Sequence, residues 1–166
     1  SDSLGIDSNE LARRSDALKE SNPMMGHRGV RLGITHPEIT EMQARSILEA
    51  AAELTGEGVE NYPEIMVPLT GMSTEYDHQE KIIRGVASKI DNLDNYMVGT
   101  MIEIPRATII ADKIAEKAEF FSFGTNDLTQ MTFGFSRDDT GGFMPSYLEQ
   151  ELLPEDPFAS LDEGVC

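Results

Sequence analysis

Three short apolar runs alternate along the chain with stretches whose apolar residues recur at helical spacing. Short runs of consecutive apolar residues indicate strands that are covered on both faces, as in parallel sheets. A strand, helix, strand, helix, strand order is typical of βα units. The pattern therefore predicts an α/β fold with three parallel strands, at 64–69, 97–104 and 119–124.

The stretches around these strands predict helices at 9–20, 37–54 and 146–153, and two more that follow the first two strands. The predicted starts are the capping boxes Thr35 with Glu38 and Thr40 with Gln43, then Ser73 or Thr74 as a cap, and Pro105. The glycine-rich stretch 22–34 fits neither a strand nor a helix well. We predict an irregular loop there, with room for one helical turn.

Two carboxylates stand near the ends of two predicted strands. Glu103 interrupts the apolar run at 97–104, and Asp127 follows the run that ends at Gly124. Adjacent parallel strands would bring these carboxylates together, and Mg²⁺ is commonly held by one or two carboxylates plus substrate oxygens. Two alternatives stay open, namely a salt bridge from Glu103 to Arg28 or Arg106, and a helix-capping role for Asp127.

The same region offers an anion site. Gly124 lets the backbone approach a ligand closely, and the N–H groups of a helix start bind phosphates or carboxylates. Asn126 can donate its amide to the same anion. Arg28 lies between two glycines, and its planar fork of donors suits a phosphoryl group or carboxylate. Simple solvation is the alternative for an arginine in such a loop.

The composition of the chain excludes some classes of binding partner. The net charge of −17, from 30 acidic and 13 basic residues, argues against nucleic acid, whose phosphates would be repelled. No apolar run approaches the roughly 20 residues that cross a bilayer, so we expect no membrane partner. Residues 138–166 contain no lysine or arginine and predict a solvated acidic tail. The single cysteine, Cys166, excludes an internal disulfide and fits a reducing compartment.

Four stretches, in order, carry a family resemblance. NPMMGHRG at 22–29, EIMVPL at 64–69, GTMIEIPRA at 99–107 and SFGTNDLTQMTFGFSRDD at 122–139 resemble the carboxy-terminal barrel of the pyruvate phosphate dikinase family. The resemblance implies a partial TIM-type (β/α)8 barrel with about three of its strands, since a whole barrel takes about 250 residues. It implies one domain over 1–166, with a helix and arginine-bearing loop at 1–36, βα units at 37–137 and the acidic tail at 138–166.

The resemblance also implies a chemistry. The parent enzyme would interconvert pyruvate and phosphoenolpyruvate by Mg²⁺-dependent phosphoryl transfer, with ATP and phosphate as the other substrates. Arg28 would contact the transferred phosphoryl group, and the 124–127 turn would support the charge that builds during transfer. The implied site residues are Arg28 and Asn126 as catalytic, Arg28, Gly124, Thr125, Asn126, Asp127 and Arg137 as substrate-binding, and Glu103 and Asp127 as metal-binding.

The family's phosphohistidine and nucleotide-binding domains are the implied partners within the parent chain, which we expect to form a homo-oligomer. The phosphohistidine role is therefore not assigned to His27, His36 or His78. The family's general-acid motif, Cys-Gly-Glu-His, does not occur in these residues, so we expect the 166-residue chain to be inactive alone. The expected compartment is the cytoplasm, or a plastid or other organelle if the parent carries a transit peptide.

Two alternatives to the dikinase stay open at this point. One is another barrel of the same class, from phosphoenolpyruvate synthase or the sugar phosphotransferase system. The other is a non-catalytic binding fragment that keeps the anion site and lacks the general-acid cysteine.

Overall fold

A three-stranded parallel sheet lies at the centre of the computed structural model, which describes residues 7–17, 24–93 and 95–160. The strand order is β1-β2-β3, with β1 at Glu64–Val67, β2 at Met97–Ile102 and β3 at Phe121–Phe123. The register pairs Glu64 with Met97 and Thr100 with Phe121. The predicted α/β class and parallel sheet are confirmed.

Each strand is shorter than predicted, for an identifiable reason. β1 ends at Val67 instead of continuing to 69, because Pro68 lacks an N–H and Leu69 adopts a φ of 59°. β2 ends at Ile102, where its partner strand β3 also ends, so the predicted 97–104 loses its last two residues. β3 is not 119–124 but Phe121–Phe123, and α7 begins two residues later at Thr125.

The described helices flank the sheet and connect its strands. They are α1 Ser8–Ala17, α2 Val30–Thr35, α3 Pro37–Gly56, α4 Ser73–Ala87, α5 Pro105–Ile109, α6 Ala111–Ala115, α7 Thr125–Phe133 and α8 Met144–Glu149, with a short 3-10 helix at Thr140–Gly142. Residues 18–20 of the first predicted helix lie outside the described residues.

Helix α2 replaces part of the predicted irregular loop. Its Gly33 is buried, and a Cβ at this position would lie 2.4 Å from Gln79 Oε1 of α4. The close approach of the two helices explains why a glycine-rich segment is helical here. Tertiary packing overrides the weak local propensity.

The predicted capping boxes of α3 are wrong. Only His36 separates α3 from α2, so Thr35 lies at the end of α2, where its hydroxyl donates to the Leu32 carbonyl at 3.2 Å. Thr40 lies inside α3, and its hydroxyl donates to Gln79 Oε1 at 2.7 Å. Both threonines therefore serve contacts other than a cap.

The backbone N–H groups just before α4 are hydrogen-bonded by a side chain of the helix itself. The Glu75 carboxylate accepts the N–H groups of Gly71 at 2.8 Å and Met72 at 3.0 Å. The predicted cap, Ser73 or Thr74, is therefore wrong, because the helix begins at Ser73 itself.

The helix predicted after Pro105 is divided at Ile110, whose φ of −111° and ψ of 20° separate α5 from α6. Ile114 is buried in the core, and Ile110 and Ala118 pack against that core while partly buried.

The last helix also differs from its prediction. It spans Met144–Glu149 instead of 146–153, and Glu151 then turns the chain with a φ of 55°. Phe143 and Tyr147 of this region pack their rings against Phe135, at centroid distances of 5.0 and 5.8 Å. The described part of the acidic tail therefore folds into a short helix and turns.

The core lies between the sheet and helices α2, α3, α4 and α6. Its most buried large side chains belong to Val30, Leu48, Tyr76, Ile83, Val98, Ile102 and Ile114. Tyr76 at the centre donates its hydroxyl to the Val98 carbonyl at 2.9 Å, so its polar end is satisfied. Within the described residues, no helix is long and apolar enough to cross a membrane.

Candidate functional site

Glu103 is the most buried carboxylate at the carboxyl edge of the sheet. It follows β2, is 6% exposed, and accepts the Leu69 N–H at 2.6 Å through Oε1. Burial raises the pKa of Glu103, and the charge of Asp127 raises it further, against the opposing Leu69 hydrogen bond and the charges of Arg28 and Arg31. The ionised carboxylate thus lacks full compensation from these neighbours.

The salt-bridge alternative for Glu103 is wrong. Among the described residues, Glu103 has no cationic partner within 4.0 Å, and Arg28 acts on it only as a more distant charge. Arg106 instead donates to the Gly71 carbonyl at 2.7 Å. Metal binding by Glu103 stays a prediction, and a buried carboxylate of this kind is suited to a cation.

Gly124 is required by Glu103 itself. A Cβ on Gly124 would lie 2.6 Å from Glu103 Cβ and 2.7 Å from Glu103 Oε2, closer than atoms can approach. The Gly124 N–H donates to the Ile102 carbonyl at 3.0 Å, which holds β3 against β2 at this point. The glycine therefore makes room for the carboxylate, a role that its position in the sequence did not reveal.

Asp127, Asn126 and Arg137 form a chain of hydrogen bonds. Asn126 Nδ2 donates to Asp127 Oδ1 at 3.0 Å, and Arg137 Nη1 donates to Asn126 Oδ1 at 3.0 Å. Because arginine only donates and a carboxylate only accepts, the two partners fix the orientation of the amide. Arg137 therefore orients the Asn126 amide so that its NH2 group donates to Asp127.

The capping alternative for Asp127 is also wrong. Helix α7 begins at Thr125 after the N-cap Gly124, and no side chain caps it. Asp127 lies in the first turn, where the partial positive charge of the helix start favours a carboxylate.

Arg28, Asn126 and Asp127 face one open cleft of about 790 Å³. The Arg28 side chain is exposed and has no hydrogen-bond or ion-pair partner among the described residues, so its donors are available. Thr125 and Arg137 line a smaller cleft of about 240 Å³ on the other side of Asn126, beside Phe158. Asn126 is common to both clefts, whereas Glu103 and Gly124 line neither of them.

The arrangement supplies two carboxylates for a cation. No group of three or more His, Cys, Asp or Glu side chains within the described residues could hold a metal. The charge of Asp127 raises the pKa of Glu103, so a divalent cation between them would relieve this repulsion and take its other ligands from substrate oxygens and water.

Sequence reasoning missed two supporting residues. Leu69 holds Glu103 through its backbone, and nothing in the sequence signals this contact. Gln130 accepts the Arg137 N–H at 2.9 Å and donates to Met24 Sδ at 3.3 Å. Gln130 follows Asn126 by four residues, which puts both on one face of a helix, and this spacing could have identified it.

These features define an α/β protein whose parallel sheet carries an arginine and two carboxylates near its carboxyl edge, where such folds place ligands. The model of the PEP-binding domain of PEP-utilising enzymes matches residues 3–157. The chain belongs to this family, as the resemblance predicted.

The relatives are consistent with that assignment. The chain is 56% identical over 163 residues to pyruvate, phosphate dikinase 1, chloroplastic, of Oryza sativa subsp. japonica. It is 58% identical to pyruvate, phosphate dikinase 1, chloroplastic, of Arabidopsis thaliana and 57% identical to pyruvate, phosphate dikinase 2 of Zea mays. Each match covers 96% of this chain but only 17–18% of the relative, so the chain spans about a sixth of their length.

Proposed function

We propose that this chain is the part of a pyruvate phosphate dikinase that binds phosphoenolpyruvate or pyruvate together with Mg²⁺. The parent enzyme would interconvert pyruvate and phosphoenolpyruvate by phosphoryl transfer, with ATP and phosphate as the other substrates. The identity of 56–58% to proteins that are named dikinases favours this function over a synthase or a phosphotransferase-system barrel.

One observation carries the assignment of the site. Glu103 is 6% exposed and close enough to Asp127 for their charges to interact, yet the described residues give it only a backbone N–H as a direct partner. A buried carboxylate beside a second negative charge is costly unless a cation compensates it. Carboxylate oxygens are ligands that favour a hard cation, and two carboxylates fit Mg²⁺.

The remaining residues would bind and orient the anionic substrate. Arg28, which has no side-chain partner among the described residues, lines the cleft that Asn126 and Asp127 also line. A guanidinium binds a phosphoryl group or carboxylate through two parallel hydrogen bonds. Arg137 holds the Asn126 amide, and Thr125 lies beside it. Mg²⁺, when bound, would neutralise negative charge on the substrate oxygens during transfer.

The fold supports a wider proposal about architecture. We propose that the three strands are a segment of a (β/α)8 barrel, because the sheet is parallel, sequential and carries its polar site at the carboxyl ends of its strands. The phosphohistidine and nucleotide-binding domains of the parent would then supply the phosphoryl group, and the parent would be a homo-oligomer. The relatives from Oryza and Arabidopsis are named chloroplastic, which favours a plastid over the cytoplasm.

The test is turnover by a full-length parent that carries Arg28→Ala. Removing a charge-assisted pair should raise the barrier by about 2 kcal/mol or more. Arg45→Ala is the matched control, since Arg45 pairs with Glu41 on the surface of α3 at 3.1 Å and should have little effect. Equal turnover in the two variants would remove Arg28 from the site.

A further inference from the structure

Leu69 has an unusual backbone for its residue type. Three non-glycine residues in the described ranges have a positive φ: Leu69 at 59°, Asn92 at 60° and Glu151 at 55°. Asn92 and Glu151 are exposed turn residues, whereas Leu69 is 4% exposed and belongs to the core. A left-handed conformation is unfavourable for a bulky side chain and persists only where its surroundings determine it.

The conformation directs one peptide group toward two partners. The carbonyl of Pro68 and the N–H of Leu69 belong to the same peptide plane. The carbonyl accepts the Val30 N–H at 3.0 Å, and the N–H donates to Glu103 Oε1 at 2.6 Å. Since the peptide is planar, rotating it would break both hydrogen bonds at once.

Residues 26–29, the Arg28 loop, pack directly against the turn formed by Pro68 and Leu69. Gly29 has a φ of 55°, and a Cβ on it would lie 3.0 Å from Leu69 Cδ1 and 3.1 Å from the Pro68 carbonyl oxygen. Val30, which donates to that carbonyl, is 1% exposed. The backbone at Gly29 and Val30, directly after Arg28, is therefore held against the turn.

We propose that Leu69 is a positioning residue that couples the Arg28 loop to the Glu103 carboxylate through the peptide between Pro68 and Leu69. This inference rests on the proposed function for the roles of Arg28 and Glu103. It goes beyond that function by making anion binding at Arg28 and cation binding at Glu103 depend on each other. Cation binding at Glu103 and anion binding at Arg28 would then favour each other, since such coupling is reciprocal.

The first test compares Leu69→Ile with Leu69→Met in the 166-residue chain, using Mn²⁺ binding measured by electron paramagnetic resonance. Both substitutions keep a buried apolar side chain of similar size. Isoleucine is β-branched and disfavours the left-handed backbone, whereas methionine is unbranched. We expect Leu69→Ile to weaken Mn²⁺ binding about tenfold or more, as loss of a ligand's supporting contact does, and Leu69→Met to weaken it far less.

Equal Mn²⁺ affinities of these two folded variants would overturn the inference. Circular dichroism shows whether each variant is folded. A larger loss in Leu69→Met than in Leu69→Ile would also overturn it, because packing and not backbone geometry would then control the site.

The second test needs no metal. Glu103→Ala removes the acceptor of the Leu69 N–H, so the turn should loosen and the Val30 amide should exchange with solvent about tenfold faster than in the unsubstituted chain. The Ile83 amide in α4 is the internal control for global stability. Unchanged Val30 exchange relative to Ile83 would overturn the inference, whether or not the chain binds Mn²⁺. Faster Val30 exchange in a chain that binds no Mn²⁺ would support the coupling and count against the proposed metal site alone.

Discussion

At the scale of single residues, the site depends on how Glu103 is held. A backbone N–H fixes one carboxylate oxygen at 2.6 Å, and Gly124 leaves space for the other. Leu69 follows β1, Glu103 follows β2 and Gly124 follows β3, so residues at the ends of all three strands position the carboxylate. Neither contact involves a side-chain donor, which explains why residue types alone identified the carboxylate but not what positions it.

Gly124→Ala tests this placement. Alanine tolerates the Gly124 φ of −87°, so the effect comes from the new Cβ, which would overlap Glu103 Cβ and Oε2 and Met101 Sδ. We expect a loss of about 1–3 kcal/mol in the free energy of unfolding, typical of overpacking, when measured by urea denaturation.

Gly85→Ala is the matched control for Gly124→Ala. Gly85 lies in α4, and a Cβ added to it would meet nothing within 4 Å, so alanine should stabilise the chain by about 0.5–1 kcal/mol. If both substitutions changed stability in the same direction and amount, the contact between Gly124 and Glu103 would not be the cause.

At the scale of elements, α7 contacts Met24, four residues before Arg28, and it contacts Arg137. Its first turn carries Asn126 and Asp127, and one turn later Gln130 links Met24, before the Arg28 loop, to the backbone of Arg137. Arg137 also lies 6.0 Å from the Phe158 ring, so the segment near 158 packs beside the same arginine. The segments before and after α7 therefore both contact residues of this helix.

Gln130→Ala should loosen this connection. The Arg137 N–H loses its acceptor, and we expect a cost of about 1 kcal/mol in unfolding free energy, with weaker binding of oxalate in the presence of Mg²⁺. Gln43→Ala, on the exposed face of α3, is the control and should change neither quantity appreciably. Identical oxalate affinities of the two variants, measured by calorimetry, would argue against a supporting role for Gln130.

The sequence predicted the order of elements better than their ends. Apolar runs and helical spacing identified the three strands and α3, because burial of apolar side chains determines these patterns. The capping boxes failed because α2 runs almost directly into α3. Only one turn of helix was allowed at 22–34, because the close approach of Gly33 to Gln79 of α4 is a contact between distant residues. Contacts between distant residues, including Leu69 with Glu103, leave no local pattern to detect.

At the scale of the whole molecule, the open sheet has consequences for association. β1 and β3 are edge strands, and large apolar side chains are exposed near them, including Met66 at 37% and Phe123 at 65%. Exposed edges and apolar patches favour self-association. The net charge of −17 opposes it through repulsion that salt screens.

We therefore expect the 166-residue chain to self-associate in dilute solution, and increasingly so as the salt concentration rises. Sedimentation velocity at about 0.05 M and about 0.5 M salt measures this directly, since the Debye length falls severalfold across that range. A monomer at both concentrations, with one cooperative unfolding transition, would contradict this expectation.

Glu103 and Asp127 are proposed to hold one divalent cation in a site that also takes an anion. The most direct measurement is Mn²⁺ binding to the 166-residue chain, with and without oxalate, for the unsubstituted chain and for Glu103→Gln, Asp127→Asn and Asp139→Asn. We predict one site, weakened about tenfold or more by the first two substitutions, unaffected by Asp139→Asn, which lines the same cleft, and tightened by oxalate. Equal Mn²⁺ affinity in all four proteins, or an equal loss in Asp139→Asn, would contradict the account.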